Sequence, residues 1–259
     1  MNQVNIHPTA IVSNKAKLGE NVKVGPFSII EDNVEIGDNT EIRSSVVISN
    51  GARIGSNVKI FHGAVISTEP QDLKYKNEPT LVKIGNNTEI REYATINRAT
   101  TATYETRVGE NCLIMTYCHV AHDCKLGDNI IMSNTTQLGG HVEIEDWVIL
   151  GGVTKVHQFC RIGCHAMVGA DVKVVKDVPP YTLIGREPAR VEGINKVGLR
   201  RRGFSKEIIT GIENFYDSIL FSGLNTGAGI NKYRSENEIS EELKHCIAFI
   251  EKSSRGIYR

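Results

Sequence analysis

The sequence predicts an all-β solenoid, a parallel β-helix of hexapeptide repeats, followed by a C-terminal α-helical domain. Three observations carry this. Every sixth residue from Ile6 to Val174 is Ile, Leu, Val or Met, with breaks only at Asp72, Glu78 and Ala102. Two residues before each of these the side chain is usually small or β-branched, as at Ala10, Ala16, Val22, Ser28 and Val34. Beyond about Val178 the period is lost at "DVPPY", where two prolines forbid continued strand pairing. A helix of 3.6 residues per turn cannot hold a six-residue register. A short strand with two inward residues, followed by a corner, can.

Corners such as "GENV", "GDNT" and "GSNV" supply Gly, Asn and Asp, which accept turn and left-handed backbone conformations. Three hexapeptides close one 18-residue triangular coil, and stacked coils lie about 4.8 Å apart. The general rule for parallel crossovers predicts a right-handed path. The repeat resembles that of the hexapeptide-repeat acyltransferases, and this resemblance implies a left-handed one. The β-helix is expected over residues 1–190, with polar excursions at about 67–83 and 97–107. A helical domain is expected over 191–259. Within it, Ser205 caps a segment from about 206 to 221. A second segment, about 236–253, carries Ile239, Leu243, Ile247 and Ile250 on one face, with Ser235 and Glu238 as its capping box.

Composition excludes several functions. Lys+Arg and Asp+Glu both number 30, so zero formal charge gives no support to nucleic-acid binding. No apolar run approaches the roughly 18 residues of a membrane span, and the N-terminus lacks the pattern of a signal peptide. Six cysteines without a secretory signal point to free thiols in a reducing, cytoplasmic setting. Cys112, Cys118, Cys124 and Cys160 fall at the small inward position, where a thiol packs as a hydrophobe. That weakens a zinc reading of "CHVAHDC".

Residues 18 apart share an edge of the prism. His122 therefore stacks with Gly140 and Gln158, Asp123 with His141 and Phe159, and Ala121 with Gly139 and His157. His119 points outward from the adjoining flat face. If the excursions insert 12 and six residues, the corners after Ile66, Ile96, Val120, Leu138 and Val156 align on one edge and form a groove. An imidazole is suited to general-base chemistry at neutral pH, and an adjacent carboxylate fixes its tautomer. Gly139–Gly140 leaves backbone bare enough for an N–H to meet an oxyanion. No serine or outward cysteine stands beside the histidines, which favours direct attack by a substrate hydroxyl over an acyl-enzyme.

The strings "AHDC", "GGHV", "VHQFCRIG", "PQDLKY" and "GLRRRGFS" resemble those of the UDP-N-acetylglucosamine O-acyltransferases, in order and over nearly the whole chain. The resemblance implies transfer of an (R)-3-hydroxyacyl group from acyl carrier protein to the sugar 3-hydroxyl of UDP-N-acetylglucosamine. This is the first step of lipid A synthesis, carried out by a cytoplasmic homotrimer without cofactor or metal. It implies His122 as catalytic base, Asp123 as its partner and Gly140 as oxyanion donor. Substrate contacts are implied at Asp72, Lys74, His119, His141, His157, Gln158, Asn195, Arg201 and Arg202, and control of acyl length at Ala170. Val197 and Asn97 depart from the pattern, where Glu and His respectively are expected, and they leave a 3-amino sugar as an alternative acceptor. The same residues admit rival readings: a zinc hydratase of the γ-carbonic-anhydrase type, using His119 and His122 among three histidines, the related N-acyltransferase, and a scaffold solenoid. His7, His62, His165 and His245 carry no assigned role.

Overall fold

The structure, a computed structural model, describes residues 4–220 and 223–259. Short strands, most of two residues, stack into three parallel sheets, here called faces A, B and C. Along the chain they recur A, B, C. Face A begins at Asn5–Ile6, face B at Ile11–Val12 and face C at Lys17–Leu18, and Lys23–Val24 returns to face A one rung up. The coil is left-handed, as the resemblance implies and against the general crossover rule. That rule was established on crossovers that pack helices against a sheet. Here the crossover is two further strands, and among the described residues 23 non-glycine residues sit at positive φ, nearly all at the corners.

Those corners explain the polar half of each hexapeptide. Asn21, Asn39, Asn57, Asn87, Asn111 and Asn129 lie between faces C and A with φ of 55–59°. Asparagine tolerates this region and bonds along the stack: Asn21 Nδ2 donates to Asn39 Oδ1 at 3.1 Å, and Asn87 Nδ2 to Asn111 Oδ1 at 3.2 Å. The aliphatic half points inward. Ile66, Ile96, Val120, Leu138 and Val156 form one such stack and are essentially inaccessible. Each contributes roughly 1.5–3 kcal/mol by leaving water. Ile96→Ala should therefore cost about 2–5 kcal/mol, read by equilibrium chemical denaturation. Cys112, Cys118, Cys124 and Cys160 are buried and free.

The excursions are narrower than expected. Strand Val65–Thr68 precedes the first and Leu81–Ile84 follows it. The second lies between Thr95–Asn97 and Glu105–Val108. Leu81–Ile84 and Glu105–Val108 pair over four residues on face C. The chain thus re-enters the sheet a few residues before the hexad aliphatics Ile84 and Val108.

After Lys173–Val174, Thr182–Gly185 continues face A, and Arg190–Ile194 folds back on it antiparallel. Among the described residues four helices follow, α1 (Lys196–Arg201), α2 (Lys206–Leu220), α3 (Thr226–Glu236) and α4 (Glu241–Glu251). Ser205 caps α2, its hydroxyl accepting from Ile208 N at 3.3 Å. The anticipated end of this helix at residue 221 lies outside the described residues. The second expected helix is corrected. Ser235 belongs to α3, where its hydroxyl donates to Lys232 O, and the cap of α4 is Ser240, accepting from Leu243 N. Helix α1 includes Arg200 and Arg201, so the basic run ends one helix and still precedes the next, α2. The C-terminus closes the top of the coil. Asp177 N donates to Gly256 O at 3.0 Å, and the Tyr258 hydroxyl accepts from Val175 N at 2.8 Å.

Candidate active site

On face B, strands Val65–Thr68, Thr95–Asn97, His119–Val120, Gln137–Leu138 and Lys155–Val156 are consecutive, in register Ile66, Ile96, Val120, Leu138. Both excursions and the three histidine-bearing corners therefore share the edge between faces B and C. The excursions are bound to each other. Asn97, buried, donates from Nδ2 to Glu69 O at 2.7 Å and Thr68 Oγ1 at 3.0 Å. Arg98 donates from Nε to the Tyr75 hydroxyl at 3.0 Å and from Nη1 to Ser67 O at 3.1 Å. Asn97 thus anchors the root of the first excursion, which accounts for an amide at this position.

The second excursion also builds the floor of the site. The Asp123 side chain is fully enclosed. It accepts from Thr103 Oγ1 at 2.5 Å, Thr100 Oγ1 at 2.8 Å, Thr100 N at 3.1 Å and Thr103 N at 3.2 Å. Its remaining bond is to His122 Nδ1 at 2.7 Å. Burial pushes this carboxyl up, but the bonds from His122, Thr103 and Thr100 outweigh burial and hold it far below the usual carboxylate range. An ionised Asp123 can only accept, so Nδ1 carries the imidazole proton and Nε2 carries the lone pair. Among the described residues nothing bonds Nε2.

Gly140 lies directly against this ring. A Cβ there would stand 2.7 Å from His122 Cε1 and 2.9 Å from Nε2, so glycine is required by the imidazole and not by backbone conformation. Gly140→Ala should displace the ring and lower kcat by about 10²-fold with little change in Tm. Steady-state kinetics and thermal melting check this together. His141 meets His122 edge-on at 5.3 Å between centroids and stacks on Phe159 at 4.5 Å. His157 Nδ1 faces Gln158 O at 3.1 Å and accepts from the Arg255 guanidinium at 3.2 Å. His119 Nδ1 meets Thr95 Oγ1 at 2.7 Å, and burial, with His122 nearby, holds its imidazole below the ordinary value. An open cleft of about 620 Å³ runs from Asp123, His141 and Phe159 across face C to Arg107, Lys125 and Arg161.

The other expected residues lie in the first excursion of this edge or on the other two edges. Asp72 and Lys74 sit in the first excursion, where the Asp72 carboxylate accepts from Lys74 N at 2.9 Å beside a fully exposed Leu73. Asn195 and Arg202 lie at the edge between faces C and A. Asn195, buried, caps α1 through Gly198 N at 3.1 Å and donates to His165 O at 2.9 Å. Arg202 lies over Trp147, with 5.2 Å from guanidinium carbon to ring centroid. Arg201 is exposed at the end of α1 and Val197 near its start. Ala170 follows Met167–Val168 on face A and so belongs to the third edge, between faces A and B. Sequence reasoning did not find Thr100, Thr103 or Arg255, since none falls in the hexad register. As for metals, the ligand atoms of His122, Asp123 and His141 lie within 4.8 Å of one another. His119, which a zinc hydratase would use, is not among them.

A family profile described as UDP N-acetylglucosamine O-acyltransferase, domain 2, matches residues 177–258. One for the bacterial transferase hexapeptide matches 15–50 and 105–136. The chain is 50% identical over 259 residues to an acyl-(acyl-carrier-protein)–UDP-N-acetylglucosamine O-acyltransferase of Janthinobacterium sp. (strain Marseille), covering 98% of this chain and 99% of that one. It is 51% identical over 255 residues to the enzyme so named from Alkalilimnicola ehrlichii, at the same coverage. Among solved structures, a UDP-N-acetylglucosamine acyltransferase from Bacteroides fragilis 9343 superposes with a TM-score of 0.96 at 46% identity, over 98% of this chain and 100% of that one.

Proposed function

This chain belongs to the acyl-(acyl-carrier-protein)–UDP-N-acetylglucosamine O-acyltransferase family, and from that premise we infer that it moves an (R)-3-hydroxyacyl group from acyl carrier protein to the 3-hydroxyl of UDP-N-acetylglucosamine, at the start of lipid A synthesis. The observation that carries the mechanism is the His122–Asp123 pair with its free Nε2 beneath Gly140. His122 Nε2 takes the proton of the sugar 3-hydroxyl as the oxygen attacks the thioester carbonyl. The new C–O bond gives a tetrahedral oxyanion that the Gly140 N–H stabilises. Collapse breaks the C–S bond, and the carrier thiolate leaves with the proton returned by the imidazolium. Asp123 stabilises the imidazolium and keeps Nε2 as the basic nitrogen.

The scatter of the remaining residues over three edges supports a homotrimer. One prism presents His122 on one edge, Asn195 and Arg202 on the second and Ala170 on the third. A closed ring of three prisms sets unlike edges against each other. The edge between faces A and B also carries exposed Phe27, Tyr93, Tyr117 and Val153, with Tyr93 and Tyr117 stacked at 5.3 Å. That is an apolar stripe of the kind interfaces cover. Asp72, Lys74, His119, His141, His157 and Gln158 line the acceptor and acyl path, and Arg201 and Arg202 supply guanidinium groups for phosphate oxygens.

The test incubates the protein with UDP-N-acetylglucosamine or its 3-amino counterpart and a series of 3-hydroxyacyl carrier proteins, with product mass as the readout. A hydroxyacylated UDP-N-acetylglucosamine is expected. Acylation of the amino sugar alone, or of neither, would overturn the reading.

A further inference from the structure

Away from the His122 edge, three ligand-type side chains from two parts of the chain converge on one point. Glu145 and Cys164 occupy successive corners between faces C and A, and His245 projects from α4. One ligand atom from each lies within 4.8 Å of the other two. His245 Nε2 stands 2.7 Å from Glu145 Oε2, and the same carboxylate oxygen accepts from Cys164 N at 2.8 Å. The carboxylate is therefore held in place by backbone, and the thiol and imidazole converge beside it. All three line an open cleft of about 670 Å³ that also includes Trp147, His165 and Tyr181. Cys164 is only partly buried, unlike the four inward cysteines of the coil, so an ion can reach it from solvent.

The geometry points to a zinc-class metal site made by Glu145, Cys164 and His245, which ties α4 to the β-helix. The donor set selects the metal. A thiolate and an imidazole suit Zn²⁺ and disfavour Mg²⁺ and Ca²⁺, which take oxygen ligands. Three protein ligands leave a fourth tetrahedral position that water fills from the cleft. Without an ion, the imidazolium–carboxylate pair occupies the same place. The ion needs a thiolate and a neutral imidazole, so it competes with protons for Cys164 and His245. Because the ligands come from the coil and from α4, the ion stabilises the packed state of the two.

The experiment titrates the full-length protein with Zn²⁺, and with Co²⁺ as its spectroscopic surrogate, after dialysis against chelator. The site predicts one ion per chain at this position and a thiolate-to-cobalt charge-transfer band in the near ultraviolet. At a hundredfold excess over Kd, Zn²⁺ should raise Tm by about 5–10 °C. Cys164→Ser and His245→Ala should each weaken binding by about 100-fold or more, while His122→Ala leaves it unchanged. The band is read on the wild-type protein, so it does not depend on any variant folding. Absence of the band, no binding at micromolar ion, or binding lost in His122→Ala and kept in Cys164→Ser would overturn the site.

Discussion

His122→Ala lowers kcat by about 10²–10⁴-fold, the range a positioned general base supplies, and leaves the fold unchanged. The fold is indifferent because the ring sits at a corner, with its side chain 14% accessible, and makes one side-chain hydrogen bond, to Asp123. The neighbouring backbone bond, His141 N to His122 O at 3.1 Å, survives in alanine. The loss falls on kcat more than on KM, since Nε2 acts on the proton in flight and not on the body of the substrate. Steady-state kinetics, with a thermal melt of each variant, checks both statements. A small loss spread evenly over kcat and KM would assign His122 to binding alone.

Asp123→Asn has the second large effect, of similar size, by a different route. The four donor groups of Thr100 and Thr103 place the carboxyl so that one oxygen meets His122 Nδ1. An amide can turn its NH₂ toward Nδ1. That ring nitrogen must then accept, and the ring proton moves to Nε2, the nitrogen that has to be basic. The geometry persists while the base is lost, so kcat should fall by about 10²–10⁴-fold. Stability changes too, with a definite sign in pH. The folded Asp123 carboxyl lies below its unfolded value because the hydrogen bonds from His122, Thr103 and Thr100 outweigh the opposing effect of burial. Its contribution is therefore present in full above the unfolded carboxylate pKa of about 4 and is lost as pH falls toward the folded value. The gap in Tm between wild type and Asp123→Asn should be widest near neutrality and narrow in acid. A gap that widens in acid would show that the charge is not stabilised where it sits.

Much of this was legible in the residues because the β-helix enforces strict translation. A hexad register from Ile6 to Val174 fixes which side chains point inward, and 18-residue spacing fixes which corners stack. Insertions of 12 and six residues at the two excursions then align the edge that holds His122, His141 and Gln158. The hand of the coil was not legible, since both hands present the same inward positions. Thr100 and Thr103 were hidden because the second excursion obeys no repeat, and only its folded path brings two hydroxyls onto Asp123. Helix α1 is six residues long and includes Gly198, and α3 contains Gly227 and Gly229, so neither shows a strong helical pattern. Gly229 is there for packing: a Cβ would come within 3.1 Å of Ile219 Cα on α2. Ser235–Glu238 imitates a capping box inside that weak region, and the cap that forms, at Ser240, precedes two acidic residues that favour a helix N-terminus.

The central claim is that acyl transfer is driven by His122 Nε2 at the edge between faces B and C. A crystal structure with UDP-N-acetylglucosamine bound tests it most directly. The expected result is the sugar 3-hydroxyl oxygen about 2.6–3.2 Å from His122 Nε2, with Gly140 over the place where the thioester oxygen will lie. A sugar held on another edge, or one whose 3-hydroxyl points away from His122, would contradict it.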